Sequence, residues 1–164
     1  MARLIPDTAF SNPEMTPGER RATRALYQHL EDSAVVWYQP KLAASRRPDL
    51  IVYLPAVGLI LYEVKDWLLT SIRRANPDFW EVQHGEKVKS EKNPLQRVRA
   101  YFYNLTERLG SEPTLLASDP KFKGKIKFPI ATAIILPNIE SVAFRRAGFQ
   151  TTVEDKYILF KDDV

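Results

Sequence analysis

The chain has 164 residues, 45% hydrophobic and 27% charged, the balance of one ordinary globular domain. Cysteine is absent, which excludes disulfides, zinc–thiolate sites, iron–sulfur clusters and thiol nucleophiles. Lys and Arg number 24 against 20 Asp and Glu, and the net charge of +4 is a mild lean toward anionic partners.

At the N-terminus, Met1-Ala2-Arg3-Leu4-Ile5-Pro6-Asp7 lacks the apolar run of a signal peptide. No later stretch approaches the ~20 apolar residues of a membrane span, so a soluble, cytoplasmic domain is expected. The first helix signal is Thr16-Pro17-Gly18-Glu19, with a capping residue, a proline suited to the first turn and an acid where a capping box wants it. Ala22, Leu26 and Leu30 then recur at helical spacing to about residue 31, and Glu19 lies on the same stripe. Ala34-Val35-Val36-Trp37-Tyr38 reads as a strand, and 40–48 as a polar loop.

Asp49 to Leu54 and Leu59 to Lys65 flank Pro55-Ala56-Val57-Gly58 and predict a hairpin closed by Gly58 in a left-handed conformation. Both strands are apolar on both faces, as in the middle of a covered sheet. Weaker strands are expected around 68–72 and 79–83. A second helix is capped by Asn93, opened by Pro94 and ended at Gly110, with Leu95, Val98, Phe102, Leu105 and Leu109 on one face. After a polar connection over 111–125, Pro129 to Leu136 reads as a buried strand, and short elements follow near Phe144 and Tyr157 to Phe160. The fold class is mixed α/β.

Two carboxylates and a lysine converge on the hairpin. Glu63 and Lys65 are two apart on one strand and share a face. A loop with an odd number of residues, such as Ala56 to Gly58, sets Asp49 on that same face, opposite Glu63 or Lys65. Buried charges are costly unless paired or bound to metal. Paired carboxylates suit Mg²⁺ or Mn²⁺, and a neighbouring lysine can orient or deprotonate a water that attacks a phosphodiester. A plain Glu63–Lys65 salt bridge, or a frayed strand end, is the competing reading. Glu-x-Lys alone says little, because Glu154-Asp155-Lys156 repeats it without an acid upstream across a hairpin. His29 and His84 are too far apart in sequence for a His-rich metal site and read as surface or boundary residues.

Pro48-Asp49 followed by Glu63-Val64-Lys65 resembles the PD-(D/E)XK nuclease pattern. More narrowly, the chain resembles the nuclease-related domain (NERD) family. The matching pieces are Gly18-Glu19, Pro48-Asp49-Leu50-Ile51-Val52, Gly58-Leu59-Ile60 leading into Glu63-Val64-Lys65-Asp66-Trp67, and Asn93-Pro94-Leu95-Gln96. The resemblance implies a restriction-endonuclease-like fold, a mixed central β-sheet flanked by α-helices. It implies a metal-dependent nuclease acting on DNA, in DNA processing or repair. Asp49 and Glu63 would be ligands of Mg²⁺ or Mn²⁺, with the Val64 carbonyl as a third. Lys65 would act on the water, Glu19 would reach the metal from the first helix, and Gln96 would face the site from the second. Capping explains Glu19 as well, and a solvent-facing helix position explains Gln96. Trp67 fits packing beside the site better than base stacking. The family is often fused to superfamily I helicase or kinase-like modules, so a catalytically weak nucleic-acid-binding or docking module is the alternative. One domain over 1–164 is expected, with its core at about 16–136, either excised from a longer protein or standing alone. Phosphates would be gripped by Arg46 and Arg47 in the loop before Asp49 and by Arg97 and Arg99 beside Gln96, or else along Lys121 to Lys127.

Overall fold

A computed structural model describes residues 1–42 and 47–164. The chain runs through β1 (Arg3–Ile5), α1 (Pro17–His29), β2 (Val35–Tyr38), β3 (Leu50–Leu54) and β4 (Gly58–Val64). It continues with β5 (Ile72–Ala75), β6 (Phe79–His84), β7 (Lys87–Lys92) and α2 (Pro94–Gly110). It ends with β8 (Ile130–Leu136), α3 (Ser141–Arg146) and β9 (Ile158–Phe160). Among the described residues no helix is long and apolar enough to cross a membrane.

Six strands form one sheet in the order β1-β2-β3-β4-β8-β9. Its β2–β3 and β3–β4 pairs are antiparallel, and β1–β2, β4–β8 and β8–β9 are parallel. The two central strands alternate between two cores. Leu50, Val52, Tyr62 and Val64 pack on one face with Ala22 and Leu26 of α1. Ile51 and Leu61 pack on the other with Leu95, Val98 and Leu105 of α2. That is the helix-flanked mixed sheet of a restriction-endonuclease-like fold.

The caps sit where the local chemistry demands. The Thr16 side chain accepts from the Glu19 N–H while the Glu19 carboxylate accepts from the Thr16 N–H, a complete capping box. The Asn93 side chain accepts from the Leu95 N–H ahead of Pro94. Gly58 opens β4 at φ 109°, and a Cβ there would lie 2.2 Å from the Pro129 carbonyl, so only glycine fits.

Three features depart from the sequence reading. β1, three residues long, adds a parallel strand beyond β2. The strand expected at 68–72 begins only at Ile72, after a 3₁₀ turn over Leu69–Ser71, and Leu68 is exposed. β7 was not anticipated, and with β5 and β6 it builds a separate antiparallel sheet. That sheet is held to the core by Trp80, whose ring packs 5.5 Å from Trp67 and about 6 Å from Phe144 and Phe149.

Candidate active site

The β3–β4 register pairs Leu50 with Tyr62 and Leu54 with Gly58, leaving a three-residue loop, Pro55 to Val57. The odd parity holds, but the loop begins one residue earlier than Ala56. Continued by one step, this register sets Asp49 opposite Glu63, not Lys65. Asp49 Oδ2 accepts from the Val64 N–H at 2.7 Å. Glu63 is only 3% exposed. Its Oε1 forms an ion pair with Lys65 Nζ and accepts from Arg97 Nη1, each at 3.2 Å. Lys65 also lies 5.4 Å from the centre of the Trp67 ring and 3.6 Å from Glu91 Oε2. Glu91 Oε1 in turn meets His84 Nε2 at 3.0 Å. These groups line a cleft of about 540 Å³ at the end of the sheet.

Two observations bear on whether this set suits a divalent cation. Glu63 Oε2 is buried and has no hydrogen-bond partner among the described residues. A carboxylate oxygen so placed is expensive unless a cation takes it up. Asp49 is pushed up to about 7, first by burial and then by the negative charge of Glu63, with the Val64 N–H bond and Lys65 opposing. A buried carboxyl raised by a carboxylate beside it fits a hard ion, which binds through one or two carboxylates and keeps the remaining positions for water and phosphate. No group of three or more His, Cys, Asp or Glu side chains is placed to hold a metal among the described residues.

Glu19 lines the same cleft and is buried, but it does not complete a three-carboxylate metal cluster with Asp49 and Glu63 among the described residues. Its Oε2 is occupied by the Thr16 N–H at 2.8 Å and the Tyr38 hydroxyl at 3.3 Å, and its Oε1 by Gln39 Nε2 at 3.4 Å. Burial and this carboxylate together push the Tyr38 hydroxyl well above its ordinary pKa.

Gln96 does not face the site. Its Nε2 donates to the Pro77 carbonyl at 2.8 Å and to Asp78 Oδ1 at 3.1 Å, tying α2 to the turn before β6. Arg97, one residue on, enters the cleft in its place and pairs with Glu63 instead of projecting outward. Arg99 lies over the Tyr157 ring at 5.5 Å and is not among the cleft residues. Arg47 is exposed in a shallow pocket beside Pro6 and Gln39, and Arg46 lies outside the described residues. Glu154 and Lys156 form an exposed ion pair at 2.8 Å, the accident that Glu-x-Lys is without a hairpin around it.

Sequence reading missed Glu91 and His84, which arrive on the small sheet. Their only signal is the Gln83-His84-Gly85-Glu86 turn, readable once β6 and β7 are known to pair. Gly18 and Asp66 turn out to be partners. The Gly18 N–H donates to Asp66 Oδ2 at 3.0 Å, and Asn138 Nδ2 donates to Asp66 Oδ1. A Cβ on Gly18 would lie 2.5 Å from that carboxylate. The residue after Lys65 thus docks the first turn of α1 against the end of β4, with the helix dipole favouring the contact.

Carboxylates delivered by the two central strands of a helix-flanked mixed sheet define a nuclease-like class of protein. Residues 16–137 match the family model of the nuclease-related domain, NERD, and the chain belongs to that family, within the PD-(D/E)XK nuclease superfamily. No curated protein and no solved structure matches the chain.

Proposed function

We propose that the domain is a nuclease dependent on Mg²⁺ or Mn²⁺ that hydrolyses phosphodiester bonds of DNA, in DNA processing or repair. The observation that carries this reading is the partnerless, buried Glu63 Oε2 beside Asp49. Asp49, Glu63 and the Val64 carbonyl would hold the ion, with Glu19 lining the same cleft. When bound, such an ion supplies Lewis-acid stabilisation of the phosphate and lowers the pKa of a water. The chain's own groups do the rest. Lys65 Nζ, steadied between Glu63 and Glu91, can hydrogen-bond a water or a phosphate oxygen and offset developing charge. Arg97, half-exposed and paired with Glu63, can offer its remaining guanidinium N–H groups to a phosphate. Burial of the acidic pair limits competing water.

Incubation with single- and double-stranded DNA and RNA, with Mg²⁺, Mn²⁺ or chelator, tests the proposal. Cleavage of DNA that needs the ion and is absent in Glu63→Gln is expected. Cleavage that persists in chelator overturns it. One observation favours a second reading, a binding or docking module accompanying a helicase: Glu63 already has two cationic partners, so the fold can carry its charge without an ion. On that reading wild type binds DNA without cutting it, and Glu63→Gln binds equally well.

A further inference from the structure

Beside the cleft, and reaching it through Glu91, the most strongly charged element among the described residues is β7, Lys87-Val88-Lys89-Ser90-Glu91-Lys92. Its register with β6 pairs His84 with Lys87, Val82 with Lys89 and Trp80 with Glu91. Residues directly opposite each other share a face of the sheet. Lys87 and Lys89 therefore stand on the same face as His84 and Glu91, which line the cleft together with Gln83 and, through Glu91, reach Lys65. Both lysines are exposed, and among the described residues neither has an anionic partner. β7 is also the edge of its sheet, so its outer backbone N–H groups are open. Alternate residues on a strand stand roughly 6.8 Å apart. That step is close to the spacing of successive phosphates along a nucleic-acid strand.

We infer that β7 is a phosphate rail: Lys87 and Lys89 grip the backbone of duplex DNA on its way to the cleft, with Glu91 marking where the rail ends and the reacting groups begin. The inference rests on the nuclease reading above. It differs from the grip by Arg97 and Arg99 that the sequence suggests, because in the structure Arg97 pairs with Glu63 and Arg99 lies over the Tyr157 ring. Lysines on an edge strand also discourage pairing with other sheets, and the test must separate that role from DNA contact.

The experiment measures anisotropy of a labelled duplex oligonucleotide in chelator, so that nothing is cleaved, across about 50–200 mM salt. Lys87→Gln/Lys89→Gln is compared with Lys123→Gln/Lys125→Gln, which removes the same charge from the exposed 111–125 connection. Two lost phosphate contacts should flatten the salt slope by about 1.8 and weaken binding at 0.1 M salt by roughly 60-fold, in the first variant alone. Equal losses in both variants would reduce the effect to net charge, and a loss confined to the second would move the DNA path to that connection. Either result overturns the rail, as does a first variant that self-associates yet binds DNA like wild type. Wild-type protein with no salt-dependent affinity for DNA overturns the rail and the nuclease reading together. Wild type that binds and cleaves, beside an unaffected first variant, overturns the rail alone.

Discussion

At Glu63 a single oxygen separates two demands. Oε1 is tied to Lys65 and Arg97, and Oε2 is buried with no hydrogen-bond partner among the described residues. Glu63→Gln keeps the shape but loses the charge, so cleavage should fall at least about 100-fold. The rise in thermal midpoint that wild type shows on adding Mg²⁺ or Mn²⁺ should vanish with it. Asp49 offers a second readout. Its carboxyl, raised to about 7 when folded, would titrate near 3.9 in an unfolded chain. Between those values the folded protein holds a proton the unfolded chain has lost. The resulting stability is fully present below about 3.9 and disappears as pH rises through about 7. Urea unfolding in chelator from about pH 5 to pH 8 should show wild type losing stability relative to Asp49→Asn. Parallel pH curves for the two proteins would mean that Asp49 is not raised. The ion competes with the same proton, so its apparent affinity should drop by up to about tenfold per unit below pH 7.

These residues were legible because the hairpin joining them is local. Parity alone puts Asp49 and Glu63 on one face, whichever odd loop closes the turn. Glu91 and His84 were not legible, because they sit on two strands, β7 and β6, that pair with nothing in the main sheet. Gln96 was misread for a related reason: one helical step decides which of two polar neighbours turns inward, and Arg97 found a buried acid while Gln96 found the Pro77 carbonyl.

Elements carried strong signals where their caps and apolar stripes agreed, as in α1 and α2, and weak ones where composition opposed conformation. β7 is four-sixths charged and almost wholly exposed, so no period-2 apolar pattern exists in it to be read. Leu68 misled in the opposite sense, since an apolar residue ahead of a strand is not a buried one. The contact between α1 and the end of β4 makes a prediction at this scale. Gly18→Ala gains helix propensity but drives a methyl onto Asp66, and the clash should win by about 1–3 kcal/mol. Asp66→Ala removes the obstacle along with its hydrogen bonds. In urea denaturation of the four proteins of the cycle, the double variant should lie above the sum of the singles by at least about 0.5 kcal/mol. Strict additivity would show that the helix start does not press on Asp66.

In the whole molecule, the main sheet and the small one meet through a knot of rings. Trp80 is fully buried against Trp67, Phe144 and Phe149. Trp80→Ala should cost about 3–5 kcal/mol. Hydrogen exchange should show β6 and β7 opening before β3 and β4, since the ring is what anchors them. Synchronous exchange of both sheets would place the anchor elsewhere. If the small sheet does loosen first, Lys65 loses Glu91 while keeping Glu63, and a stability change far from the cleft becomes a change inside it.

The cleft's own composition reaches further. It is walled by five acids, Glu19, Asp49, Glu63, Asp66 and Glu91, and by two permanent bases, Lys65 and Arg97. Formally that is −3, inside a chain of +4, so everything outside the cleft sums to +7. The field therefore has two opposite zones: a small basin that collects cations and a surrounding shell that collects anions. A polyanion meeting the empty protein is drawn to the shell and turned away at the basin, until a doubly charged ion brings the basin close to neutral. Arrival and entry become separate events, with the ion deciding when the second can follow the first.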